Sequence, residues 1–112
     1  MPLPNTGKRV RGSTTGRPIM ALLDLLGRRW TLRILWELRN GPLRFREVQD
    51  ACGGMSPSVL NQRLAEMREA GIIETTDEGY ELTKHGLELM EAMTPLHLWA
   101  TKWAKRRTRS AD

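Results

Sequence analysis

The stretch MSPSVLNQRLAEMREAG, residues 55–71, decides how the rest of the chain is read. Ser56 is a residue type that caps helices, Pro57 suits the first helical position and Gly71 suits the stop. Leu60, Leu64 and Met67 recur at spacings of four and three, the buried stripe of an amphipathic helix. Ser58, Asn61, Gln62 and Ala65 then lie on the outer side, with Arg63 on a flank. A generic surface helix favours acids in its first turn, where they complement the helix dipole. Here the first acid is Glu66, more than two turns in. A slim, polar start without carboxylates is what a helix needs to enter the major groove of DNA. Asn and Gln match the edge of adenine, and Arg pairs with guanine or phosphate. Serine and the free N–H groups of a helix start bind phosphate oxygens. Ser58, Asn61, Gln62 and Arg63 are therefore the candidates for base readout, with Ser56 as a phosphate contact.

Working outward, Phe45, Val48 and Cys52 share one face of a helix expected from about 46 to 52, which Gly53-Gly54 breaks. Two helices joined by a tight glycine turn are the helix-turn-helix arrangement. Downstream, IIET and YELT read as short strands joined by the tight turn Thr76-Asp77-Glu78-Gly79. Upstream, PIMALLDLLG (18–27) reads as a short apolar helix that Pro18 opens and Gly27 closes. WTLRILWELRNG (30–41) reads as a second helix with Ile34, Leu35 and Leu38 inward. Leu43-Arg44-Phe45 suits a brief strand after Pro42. Thr83 is a reasonable cap for a long last helix with Leu87, Met90, Met93 or Thr94, and Leu98 inward. Pro95 within it predicts a kink or a break. The chain is thus mainly α with a small β-hairpin, in the order of a winged helix-turn-helix. That domain spans residues 18–104, between a flexible basic arm (1–17) and a basic tail (105–112).

One domain accounts for 112 residues, and a domain of this size often gains stability from a partner subunit. The net charge of +5 is unevenly placed. Lys8, Arg9, Arg11 and Arg17 occupy the arm without an acid, and Lys105, Arg106, Arg107 and Arg109 crowd the end. Six arginines and one acid lie between Arg28 and Arg46, whereas eight acids and two bases lie between Glu66 and Glu91. Such sorting points to one side facing a polyanion. Arg28 and Arg29 precede the second helix and Arg44 and Arg46 flank the third, which makes them candidate phosphate contacts.

At this level LLGRRWTLRILWELRNGPLRF (25–45), MSPSVLNQRLAEMREAGII (55–73) and YELTKHG (80–86) resemble the HxlR-type family of bacterial winged helix-turn-helix transcriptional regulators. The resemblance covers about residues 17–104. It implies a transcription regulator that binds double-stranded DNA at an inverted-repeat operator as a homodimer, formed by the first and last helices. Two departures are visible. Family members typically carry a cysteine where this chain has Arg17, so thiol sensing by that route is not expected. The family's wing is usually longer and basic; here it is short and acidic, which opposes contact with phosphates. The basic arm is the natural substitute, reaching into a minor groove.

Trp36 and Leu32 project from the side of the second helix opposite its core stripe, and an outward Trp-Leu pair marks a partner surface. With Leu22 and Leu26 on the first helix and Met90, Met93, Trp99 and Trp103 on the last, they are candidates for a dimer interface or the pocket of an unknown small-molecule effector. Cys52 reads as a core cysteine rather than a regulatory thiol. His85 and His97 are isolated, so neither a metal site nor a cofactor is expected. No nucleophile-base pair or glycine-rich phosphate loop points to an enzyme. No apolar run spans a membrane and no secretory leader is evident, so the cytoplasm is the default. The rival to DNA readout is a winged helix serving as a protein-interaction module, which the acidic wing favours.

Overall fold

The structure, a computed structural model, describes residues 17–111, with side chains as far as Thr108. The elements are α1 (Pro18–Leu26), α2 (Thr31–Leu38), α3 (Phe45–Ala51), α4 (Pro57–Glu69), β1 (Ile73–Thr76), β2 (Gly79–Leu82) and α5 (Lys84–Ala111). Ile34, Leu35 and Leu38 of α2, Val48 of α3 and Leu60, Leu64 and Met67 of α4 are buried, joined by Ile72, Ile73 and Leu82 from the hairpin. The stripes expected on α2 and α4 therefore meet in one core. Residues 1–16, most of the basic arm, lie outside the described residues.

β1 and β2 pair antiparallel, with Ile73 opposite Leu82 and Thr76 opposite Gly79, so Asp77 and Glu78 form the turn. The brief strand expected at 43–45 is reduced to a single bridge. Leu43 exchanges backbone hydrogen bonds of 2.9 and 2.8 Å with Tyr80. Phe45 already opens α3, which leaves no length for more pairing. Gly79 sits at φ 122°, and a Cβ there would fall on the Leu43 carbonyl. The bridge thus requires glycine at this position.

The start of α5 explains the Leu-Thr-x-x-Gly run. The Thr83 hydroxyl donates to the Gly71 carbonyl at 2.6 Å and accepts from the Gly86 N–H at 3.1 Å. One side chain caps α5 and ties it to the end of α4. Gly86 is buried, and a Cβ on it would strike the Ile72 carbonyl.

Pro95 does not break α5, which is one helix of 28 residues. Pro95 and Glu91 are both solvent-exposed, so the carbonyl that loses its helical partner can be hydrated. The stretch expected as a basic tail continues the same helix through residue 111. Inward packing of α5 is confined to its first turns: Leu89 and Met90 pack against the core, whereas Leu87 and Leu98, expected inward, are 52% and 56% exposed. Every residue from Thr94 to Thr108 is exposed.

Candidate nucleic-acid interface

The turn between α3 and α4 is built by the backbone. Gly53 and Gly54 adopt φ of 74° and 76°, a region that L side chains rarely occupy. The Gln49 side-chain amide donates to the Met55 carbonyl at 2.9 Å, while the Gln49 backbone carbonyl accepts from the Gly54 N–H at 2.8 Å. Met55 is buried beneath the turn. α4 is thereby held against α3 with its Leu60/Leu64/Met67 face inward, and its other face is presented outward.

That outer face carries Ser58, Asn61, Gln62 and Ala65, all exposed. Asn61 and Gln62 have no side-chain partner among the described residues, so their amide groups are free to donate and accept. Ser56 occupies the cap position, but its hydroxyl is 3.0 Å from that of Ser58 instead of capping the helix. The first turn of α4 therefore presents hydroxyls and uncapped N–H groups without a carboxylate among them.

Arg63 stands apart from the other readout candidates. Its Nε donates to the Arg29 carbonyl at 2.8 Å, and its guanidinium pairs with Glu66 at 3.2 Å. Glu66 also pairs with Arg28 at 2.7 Å, and Arg28 with Asp24 at 3.1 Å. The network clamps the α1–α2 corner to the middle of α4. Arg28 and Arg63 spend their charge inside the fold, so neither is presented as a free cation. Glu66, conspicuous in sequence as the first acid on α4, is the hub of this clamp. Only the Arg63–Glu66 spacing hints at it in the sequence; the link to Arg28 is tertiary.

The remaining phosphate candidates divide again. Arg29 is exposed and lies over the Trp30 ring at 5.3 Å. Arg46 is exposed and without a partner among the described residues. Arg44 donates to the Asp77 carbonyl at 3.0 Å, bracing the wing turn and bringing positive charge beside its acids. Cys52 is buried, and burial pushes its thiol pKa up, with the nearby Arg33 charge opposing the shift. A thiol held protonated is a poor nucleophile.

The residues expected at a dimer interface or effector pocket fall into separate places. Leu32, Trp36, Met90 and Met93 line a cleft between α2 and α5. Trp99 and Trp103 stack further along α5 with ring centroids 5.8 Å apart, and Arg107 lies 5.2 Å over Trp103. Leu22 and Leu26 are half-buried on α1, with Leu26 against the core. Ile19 and Leu23 are the more exposed apolar residues of α1, at 54% and 52%.

Comparison with known proteins agrees with this arrangement. Residues 25–108 match the model of the HxlR-like helix-turn-helix family. The HTH-type transcriptional regulator YvaP of Bacillus subtilis (strain 168) is 34% identical over 88 residues, covering 72% of this chain and 82% of that protein. The crystal structure of quinone-bound YodB from B. subtilis superposes with a TM-score of 0.70 at 31% identity, over 75% of this chain and 96% of that one. A possible HxlR family transcriptional factor from Thermoplasma volcanium GSS1 superposes at 0.66 with 26% identity, over 79% and 85% of the two chains. Its helix-turn-helix, its hairpin wing and these similarities place the chain in the HxlR-like helix-turn-helix family of DNA-binding transcriptional regulators.

Proposed function

We propose that the protein reads a specific operator through α4 and does so as a homodimer on an inverted repeat. The observation that carries the reading is the outer face of α4. Asn61 and Gln62 stand exposed there without a side-chain partner among the described residues, and Ser58 meets only the Ser56 hydroxyl. No acid lies in the first turn of this helix, which the helix-turn-helix aims outward. Asn61 and Gln62 read base edges, while Ser56, Ser58 and the uncapped N–H groups of the first turn hold phosphate. Arg29 and Arg46 add phosphate contacts on either side. Arg63 and Arg28 act through the clamp, setting the angle of α4 rather than touching bases. The charge of the N-terminal arm supports a further contact in a neighbouring minor groove.

The dimer reading rests on uncovered apolar surface. Ile19, Met20 and Leu23 on α1, and Leu98, Trp99 and Trp103 on α5, are at least 37% exposed. Two-fold pairing through these helices places two copies of α4 in successive major grooves, about 34 Å apart.

The test is fluorescence anisotropy with the DNA upstream of the protein's own gene, against a scrambled duplex, over a salt series. If that region lacks a site, selection from random sequence supplies one. Asn61→Ala and Gln62→Ala should each cost about 1–3 kcal/mol on the specific site. They should leave the salt slope unchanged, because neither removes a phosphate contact. A preferred site bound equally well by both variants would rule out α4 as the reader. No preferred site at all would favour the protein-interaction module.

A further inference from the structure

The cleft between α2 and α5 has a volume of about 670 Å³, within the range of small-molecule sites. Leu32, Met90, Met93 and Ala100 contribute its apolar wall. The Trp36 and His97 rings lie within it, 5.0 Å apart and tilted by 32°. Thioethers beside aromatic rings adapt to flat aromatic guests.

The cleft also holds a cation. The Arg39 guanidinium lies 3.8 Å from the Trp36 ring centroid and donates one hydrogen bond, 2.7 Å long, to the Trp36 carbonyl. No carboxylate stands within ion-pair distance of it among the described residues. Glu91 lines the same cleft without reaching it. An exposed arginine braced on an aromatic face is pre-organised for a planar anion.

We propose that this cleft binds a planar aromatic carboxylate, its rings among Trp36, His97 and the methionines and its carboxylate on Arg39. Charge separates this ligand from the other obvious occupant, a second copy of the chain. Beyond the cleft itself, the apolar surfaces that a second copy offers among the described residues are α1 and the outer half of α5. The single acid of α1, Asp24, is paired with Arg28, and α5 carries no acid after Glu91. Neither surface brings a carboxylate to Arg39, and covering it with apolar side chains would strand a charge.

The test is isothermal titration of the full-length protein with 1-naphthoate and, in parallel, with neutral 1-naphthalenemethanol. It uses no DNA, so its outcome is independent of the reading of α4. One site per chain is expected, with the carboxylate bound about tenfold or more tightly than the alcohol. Arg39→Met should abolish that preference while leaving the fold intact, since the side chain is exposed. Ala100→Trp, which fills the cleft, should abolish binding of both compounds. Absence of binding, equal affinity for acid and alcohol, or binding indifferent to Ala100→Trp would overturn the proposal. So would a shift from dimer to monomer in both variants without naphthoate binding, which would make the cleft a contact between copies.

Discussion

Single residues show how closely this small fold is specified. Gly86 lies on the first turn of a helix, where an alanine would ordinarily raise helix propensity. Its neighbours reverse that sign, because the Ile72 carbonyl occupies the space of a Cβ and Leu82 closes the other side. Gly86→Ala should therefore lower stability by about 1–3 kcal/mol. Urea unfolding followed by circular dichroism would read this directly, and an unchanged midpoint would show that α5 can shift without cost. Thr83 is apparent in the sequence as a helix cap, and Gly86 as the end of the YELTKHG stretch that carries the family resemblance. The reason glycine is needed there is not, because the Ile72 carbonyl comes from a different element.

At the scale of elements, the wing departs most from what a DNA-binding domain usually presents. Asp77 and Glu78 form its tip, and both are exposed. Arg44 braces the tip through the Asp77 carbonyl, leaving the two carboxylates turned to solvent. If α4 enters the major groove, the wing lies close to the backbone and its acids oppose binding. Glu78→Lys should then tighten binding at low salt and steepen the salt dependence by about one unit of slope. Anisotropy titrations at several salt concentrations would measure it. An unchanged slope would place the wing away from DNA and leave the arm as the source of minor-groove contact.

At the scale of the molecule, shape is the informative property. The radius of gyration is 15.5 Å, against about 13 Å for a compact domain of this length. The excess comes from α5, whose 28 residues span roughly 42 Å and whose outer half touches little of the core. A helix with stacked Trp99 and Trp103 held in water is unfavourable for a lone subunit, since aromatic burial dominates interface energetics. Trp99→Ala combined with Trp103→Ala should convert a dimer to monomers in sedimentation velocity. On an inverted-repeat duplex the same variant should lose most of its affinity, because two linked half-sites reinforce each other. A variant that remains dimeric would move the interface to α1 alone.

How much was legible in the sequence follows from the range of the forces involved. Local periodicity and turn chemistry were sufficient for the element order, for the core stripes of α2 and α4, and for the outer face with Ser58, Asn61 and Gln62. The reason is that a helix repeats every 3.6 residues, so burial on one side dictates exposure on the other. The family was legible for the same reason, since its motifs are the starts and stops of these elements. The fates of the arginines were not. Arg28, Arg29, Arg44, Arg46 and Arg63 look alike in sequence, and only tertiary packing commits Arg28 and Arg63 to Glu66 while leaving Arg46 without a partner among the described residues. The cleft around Arg39 was equally hidden, because its walls come from α2 and α5, separated by half the chain. Charge partners and cavities depend on distances across the fold, and those are set when the apolar stripes meet in one core.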